Sequence, residues 1–103
     1  MTKVVWSGNS LRDLENIHAY VALDSTVYAD RLVAKLIESA ETAAAFPFSG
    51  RMVPEVQNDR IRELIVGNYR VIYQVFEDRV SIVTVVHAGR DLTQGQTKPW
   101  EVT

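Results

Sequence analysis

The stretch RIRELIVGNYRVIYQVFEDRVSIVTVVH, residues 60–87, decides the fold. It holds three runs rich in β-branched and aromatic residues, at 60–66, 69–76 and 79–87. Only Gly67-Asn68 and Glu77-Asp78 separate them, and two residues is the length that closes a β-hairpin. Three strands joined in this way predict an antiparallel meander. With Glu77-Asp78 as the turn, Val75 lies opposite Val80, Tyr73 opposite Ile82 and Val71 opposite Thr84. Paired residues share a face, and this face is apolar enough to be the core side, with Tyr69 and Tyr73 as core aromatics. The other face then carries Arg70, Ile72, Gln74, Ser81, Val83, Val85 and His87. The same parity turns Arg62 toward the core side, where it needs a carboxylate such as Glu15 or must emerge at the sheet edge.

Upstream, KVVW (3–6) reads as a further strand, and SGNS (7–10) supplies a turn with Asn9 or Ser10 as helix N-cap. Leu11, Leu14, Ile17 and Val21 recur at helical spacing, with His18 beside them as a packed histidine. Asp24-Ser25-Thr26 breaks this helix and caps a second, which buries Leu32, Val33, Leu36, Ile37, Ala40 and Ala44. Phe46 ends it, because a residue before proline is pushed out of the α region. So short a connection predicts an antiparallel helical hairpin. Residues 47–59, with Pro, Gly, Ser, Asn and Asp, read as loop. The order β-α-α-β-β-β predicts an α+β fold: a small antiparallel sheet packed on one face by an N-terminal helical hairpin. A single domain spans residues 1–92, and 93–103 form a polar tail that includes Trp100.

At 103 residues, 47% hydrophobic and 23% charged, the composition is that of a globular domain with one core. The chain has no cysteine, which excludes disulfides and thiolate metal sites. No HExxH, P-loop, GxGxxG or nucleophile-elbow motif occurs, so no metal or cofactor is expected. No apolar run reaches membrane-span length and the first ten residues hold no signal-peptide core, so a cytoplasmic location is expected. A net charge of −2 argues against general electrostatic binding of nucleic acid.

Charge is laid out unevenly. Residues 51–103 carry seven basic side chains, six of them arginines, and arginine forms forked pairs with carboxylate or phosphate. They read either as ordinary ion pairs or as an arginine-lined groove. Arg51, Arg70, His87 and Arg90 are the candidate binding residues; none is assigned to catalysis, Arg70, His87 and Arg90 being candidates only if the chain cleaves a phosphodiester, with His87 as the base because a histidine titrates near neutrality, and a structural role at the strand end is the favoured reading of His87. Arg70 has two competing roles. It can pair with Glu63, diagonally across the hairpin closed by Gly67-Asn68, or it can join His87 and Arg90 in one cationic patch on the open face. The patch is the favoured expectation, with Ile72, Val83 and Val85 as an apolar area beside it that a partner segment would cover.

GRMVPE (50–55), RIRELIVGNYRVIYQV (60–75) and VVHAGRDL (85–92), in this order and after a helical hairpin, resemble the RelE/ParE toxin superfamily of bacterial type II toxin–antitoxin modules. The resemblance runs over residues 3–92 and implies the same fold, a cognate antitoxin and a toxin–antitoxin hetero-oligomer. It implies one of two targets. RelE-like members are metal-independent, ribosome-dependent mRNA endonucleases whose basic residues hold the scissile phosphate. Arg70 and Arg90 resemble two of those residues, but Ile61 and Glu63 stand where lysines are expected and Gln96 where a tyrosine is. ParE-like members act on DNA gyrase and block replication, and IREL (61–64) and HAGR (87–90) resemble that branch more. The expectation is therefore a ParE-like gyrase inhibitor. The alternatives are a RelE-like nuclease with a rearranged site acting on the ribosome and mRNA, and a non-toxic module that kept only antitoxin binding.

Overall fold

The computed structural model describes residues 2–89. The elements are β1 (Lys3–Trp6), α1 (Gly8–Ala22), α2 (Thr26–Ala45), β2 (Arg51–Met52), β3 (Ile61–Val66), β4 (Tyr69–Val75) and β5 (Arg79–His87). The five strands form one sheet in the order β1-β5-β4-β3-β2. β1 pairs parallel with β5, and every other pairing is antiparallel. The α+β architecture expected from the sequence is present. β2 is an addition, lying inside the segment read as loop. The expected tail at 93–103, with Trp100, and Arg90 lie outside the described residues.

Both helices are capped by serine. Ser7 Oγ accepts from Ser10 N–H at 3.0 Å, and Ser25 Oγ accepts from Tyr28 N–H at 3.1 Å. α1 thus starts earlier than Asn9 or Ser10 would place it. Ser7 N–H donates to Ile82 C=O at 3.1 Å, so the chain turns from strand to helix within one residue. The buried stripe of α2 is Ala29, Leu32, Leu36, Ala40, Ala43 and Ala44. These small side chains let its C-terminal half lie close on the sheet. Leu11 and Ile37, expected inside, are 47% and 44% exposed because they flank the stripe. His18 is not packed: its Nε2 meets Asp30 Oδ1 at 2.7 Å and ties α1 to α2 at an exposed position.

The main core fills the space between the helices and the sheet, with Leu14, Leu32, Leu36, Val71, Tyr73, Val75, Val80, Ile82 and Val85. Tyr73 is fully buried; its hydroxyl donates to Pro47 C=O at 2.8 Å and accepts from Gly50 N–H at 3.1 Å. That contact requires glycine, since a Cβ on residue 50 would stand 2.5 Å from the tyrosine oxygen and 2.6 Å from Glu63 C=O. Burial pushes the Tyr73 phenol above its ordinary value.

A β-bulge corrects the expected register. Val75 pairs with Val80 and Tyr73 with Ile82 as expected, but the register shifts between Ile72 and Tyr73. Ile72 then faces Thr84 and Val71 faces Val85, leaving Val83 as the extra residue. The first turns of α1 satisfy the irregular backbone. Ser7 Oγ and Asn9 Nδ2 donate to Val83 C=O at 3.0 and 3.3 Å. Asp13 Oδ2 accepts from Val85 N–H at 3.0 Å and from Thr84 Oγ1 at 2.5 Å. Side chains alternate faces along a strand, so one extra residue exchanges the faces of everything beyond it. Val85 therefore joins the helix-side core, and His87 pairs with Tyr69 on that side.

The second face of the sheet is not open. Residues 53–59 fold across it, and Val53, Ile61, Ile72 and Val86, with Val56 against them, form a smaller apolar cluster. The apolar patch expected from Ile72, Val83 and Val85 is consequently absent. Ile72 is covered by this segment, Val85 points the other way, and Val83 is 9% exposed.

Candidate functional site

Glu63 and Arg70 are placed by the hairpin β3–β4, whose turn needs Gly67 at a φ of +58°. Ile65 pairs with Arg70 and Glu63 with Ile72, which sets Glu63 and Arg70 diagonally on one face. Arg70 Nε donates to Glu63 Oε1 at 2.7 Å. Its two terminal nitrogens grip the Glu55 carboxylate, Nη1 to Oε2 at 2.9 Å and Nη2 to Oε1 at 2.7 Å. β2 brings Arg51 opposite Glu63, and Arg51 Nε donates to the second oxygen, Oε2. The four residues form one chain, Glu55–Arg70–Glu63–Arg51.

The side chain of Glu63 is fully buried and that of Arg70 is 4% exposed, while that of Arg51 is 62% exposed. A carboxylate this buried is tolerated only with its oxygens satisfied. Here two guanidinium groups meet them. Arg70 is held protonated still more firmly than an ordinary arginine: the hydrogen bonds to Glu55 act most strongly, desolvation opposes them, and Glu63 adds to the gain. Two positive and two negative charges cancel, so the quartet presents no net charge.

Arg70 therefore takes the structural role weighed in the sequence, its pair with Glu63, and it also has Glu55. It is not part of an open cationic patch. His87 lies on the other face, exposed, its ring edge-on to Tyr69 with centroids 5.8 Å apart. Gly89 N–H donates to His87 Nδ1 at 3.2 Å, which leaves the proton of the neutral ring on Nε2. His87 borders a cleft between α1 and β5 lined also by Asp13, Ile17, Tyr20, Tyr69 and Val85. Arg62 emerges at the sheet edge: Nε donates to Asp59 C=O at 2.7 Å, Nη1 to Gly50 C=O at 3.2 Å, and the group stacks on Phe48. Sequence reasoning missed Glu55, because its contact depends on the path of the segment across the second face. Among the described residues no cluster of His, Cys, Asp or Glu could hold a metal ion, and no helix is long and apolar enough to cross a membrane.

Residues 4–92 match the model of a family described as the ParE toxin of the type II toxin–antitoxin system parDE. The chain belongs to the ParE toxin family. It is thus a toxin of a type II toxin–antitoxin system, within the RelE/ParE superfamily. A protein named Toxin RelE2 from Caulobacter vibrioides is 34% identical over 91 residues, which cover 87% of this chain and 99% of that one. A putative toxin, Y4kP, from Sinorhizobium fredii is 32% identical over 94 residues, covering 89% of this chain and 94% of that one.

Solved structures repeat the fold. A chain of the chromosomal ParDE system from P. aeruginosa superposes with a TM-score of 0.69 at 19% identity, covering 84% of this chain and 96% of that chain. One from the RelBE2 toxin–antitoxin complex of Mycobacterium tuberculosis gives 0.63 at 20% identity, with 84% and 96% covered. The similar proteins carry both branch names. Two of the three stretches that resemble the superfamily, GRMVPE and RIRELIVGNYRVIYQV, are the ones that meet in the ion quartet.

Proposed function

We propose that this toxin acts on DNA gyrase and so arrests replication, and that a cognate antitoxin neutralises it. One observation carries the choice of target. Arg70 and His87, the described residues with which a metal-independent nuclease would orient a phosphodiester and move its proton, lie on opposite faces of the sheet, and Arg70 is committed to two carboxylates. Cleavage of RNA needs a cation and a proton carrier on the same phosphate. Glu63 adds a buried carboxylate where a cation would serve a nuclease, and the chain's net charge of −2 suits a protein target better than RNA.

The antitoxin reading is supported by the two solved neighbours, a ParDE system and a RelBE2 toxin–antitoxin complex. Of the hairpin and the sheet expected to receive it, the helical hairpin offers an exposed apolar surface among the described residues. Tyr20, Leu23, Val27 and Tyr28 are between 58% and 82% exposed around its turn, an apolar area that an amphipathic partner segment would cover. A RelE-type nuclease is the second reading, favoured by the 34% identity to a protein named Toxin RelE2.

The test is expression in bacteria without antitoxin, with DNA synthesis and mRNA followed together. DNA synthesis is expected to stop first, with a DNA-damage response and intact bulk mRNA. Rapid codon-phased cleavage of mRNA within ribosomes, with DNA synthesis continuing, overturns the gyrase reading in favour of the nuclease.

A further inference from the structure

We propose that the apolar patch around Arg62, at the β2 edge of the sheet, is the surface with which the toxin grips its protein target, and that it takes an acidic side chain set beside an apolar one. The inference rests on the gyrase reading only in taking that target to be a protein.

The patch is a second exposed apolar area, at the other end of α2 from the hairpin turn. α2 has 20 residues and is about 30 Å long, so the two areas are well separated. Phe46, Phe48 and Met52 are between 44% and 66% exposed. Phe46 caps α2, and Ser49 N–H donates to its C=O at 2.9 Å, which holds Phe46 and Phe48 in one turn. Met52 pairs with Arg62 across β2 and β3, and paired residues share a face. The Arg62 guanidinium lies over the Phe48 ring, 5.1 Å from its centroid. Met52, Arg62 and Phe48 are therefore contiguous, and β2 has no strand on its outer side among the described residues. Aromatic residues, Met and Arg are the types enriched in protein interfaces.

Charge names the occupant. Arg62 is fixed before any partner arrives, by the carbonyls of Asp59 and Gly50 and by the ring of Phe48. Carbonyls satisfy its hydrogen bonds but leave its charge. Among the described residues no carboxylate lies within ion-pair distance of Arg62, and Nη2 has no partner. Arg60 is exposed and also makes no ion pair. Val75 N–H donates to Arg60 C=O at 2.8 Å, so the ladder reaches this residue and alternation puts it on the side of Arg62. A fork already held in one rotamer loses little freedom on meeting a carboxylate. Against the two arginines stands exposed Asp59, leaving one positive charge. That matches a single carboxylate, whereas a nucleic-acid backbone calls for a run of cations.

The test uses the full chain with Met52→Glu and Arg60→Glu, whose side chains hold none of these hydrogen bonds, and Leu11→Glu on α1 as the control. Melting temperatures should stay within about 4 °C of wild type. Met52→Glu and Arg60→Glu should each bind purified gyrase at least about 10-fold more weakly and lose growth arrest, and Leu11→Glu should do neither. Gyrase binding or growth arrest kept at the wild-type level by either folded variant, or an equal loss in Leu11→Glu, overturns the patch and leaves the choice of target untouched. Growth arrest lost in both variants, when wild type binds no gyrase, overturns the gyrase reading and supports the patch. A wild-type chain that neither binds gyrase nor arrests growth overturns both. Binding of a single-stranded RNA oligonucleotide by wild type, lost in the same two variants, overturns the protein occupant. Should either glutamate variant fail to fold, Met52→Ala or Arg60→Ala is read in its place.

Discussion

On the helix-covered face of the sheet, Val71, Tyr73, Val80 and Ile82 are wholly buried against an apolar hairpin whose Leu36 is wholly buried too. On the opposite face, Ile72 and Val86 share their cover with four charged side chains. The first arrangement is generic. Apolar packing tolerates many volume-conserving exchanges, and its contribution grows with area removed from water. The second is selective. A buried ion quartet adds little over an apolar replacement, yet removing one member takes a charge-assisted contact away from a buried charge. The two faces should therefore respond differently to substitution, in size and in kind.

The largest effect is expected at Arg70. Arg70→Ala leaves Glu63 and Glu55 without their common partner, and urea unfolding should show a loss of about 3–5 kcal/mol. A loss below about 1 kcal/mol would place the quartet among ordinary surface pairs and erase the distinction between the faces. Leu36→Ala, on the helix side, should cost about 3 kcal/mol through lost apolar contact and the cavity left behind. A cost as small as that of a surface leucine would mean that α2 settles onto the sheet to fill the gap.

Tyr73→Phe removes one hydroxyl from the apolar face and leaves Gly50 N–H and Pro47 C=O unpaired. About 1–3 kcal/mol should be lost. The same residue gives the helix-side face a pH dependence. Its folded value is raised above the ordinary 10.0, so its contribution is complete below about pH 10 and is lost as pH rises through the raised value. The alkaline fall in melting temperature should be shallower in Tyr73→Phe; an unchanged slope would assign it to other groups. His18→Ala, at the exposed tie between the helices, should change stability by about 0–1 kcal/mol. A larger loss would mean that the hairpin depends on that tie.

Periodicity made most of the fold legible. The helix stripes, the serine before the second helix and the two-residue turns all act locally, so their signals lie in adjacent residues. The bulge at Val83 was not legible, because β4 and β5 alternate between two apolar faces and one more valine disturbs no pattern. Its cause lies far off in sequence, in Ser7, Asn9 and Asp13, which accept or donate to the displaced backbone. That one residue decided the fate of the candidate site: beyond it His87 changes sides, so of the patch expected from Arg70, His87 and Arg90, the two described members do not share a face. The diagonal pairing of Glu63 with Arg70 was legible, because it precedes the bulge and follows from the turn at Gly67-Asn68. Glu55 was not, since a segment read as loop gives no sign of the surface it crosses. Arg51 was singled out as an arginine, but its carboxylate partner depends on a strand of only two residues.

The division between the faces bears directly on function, because it takes Arg70 out of reach of His87. The most direct measurement uses purified toxin with purified gyrase and supercoiled plasmid, beside programmed ribosomes in a parallel reaction. The gyrase reading predicts that gyrase-linked double-strand breaks accumulate with added toxin while the mRNA on the ribosomes stays whole. Unchanged gyrase turnover together with cut mRNA would contradict it, and would mean that RNA is cleaved without Arg70 and His87 sharing a face.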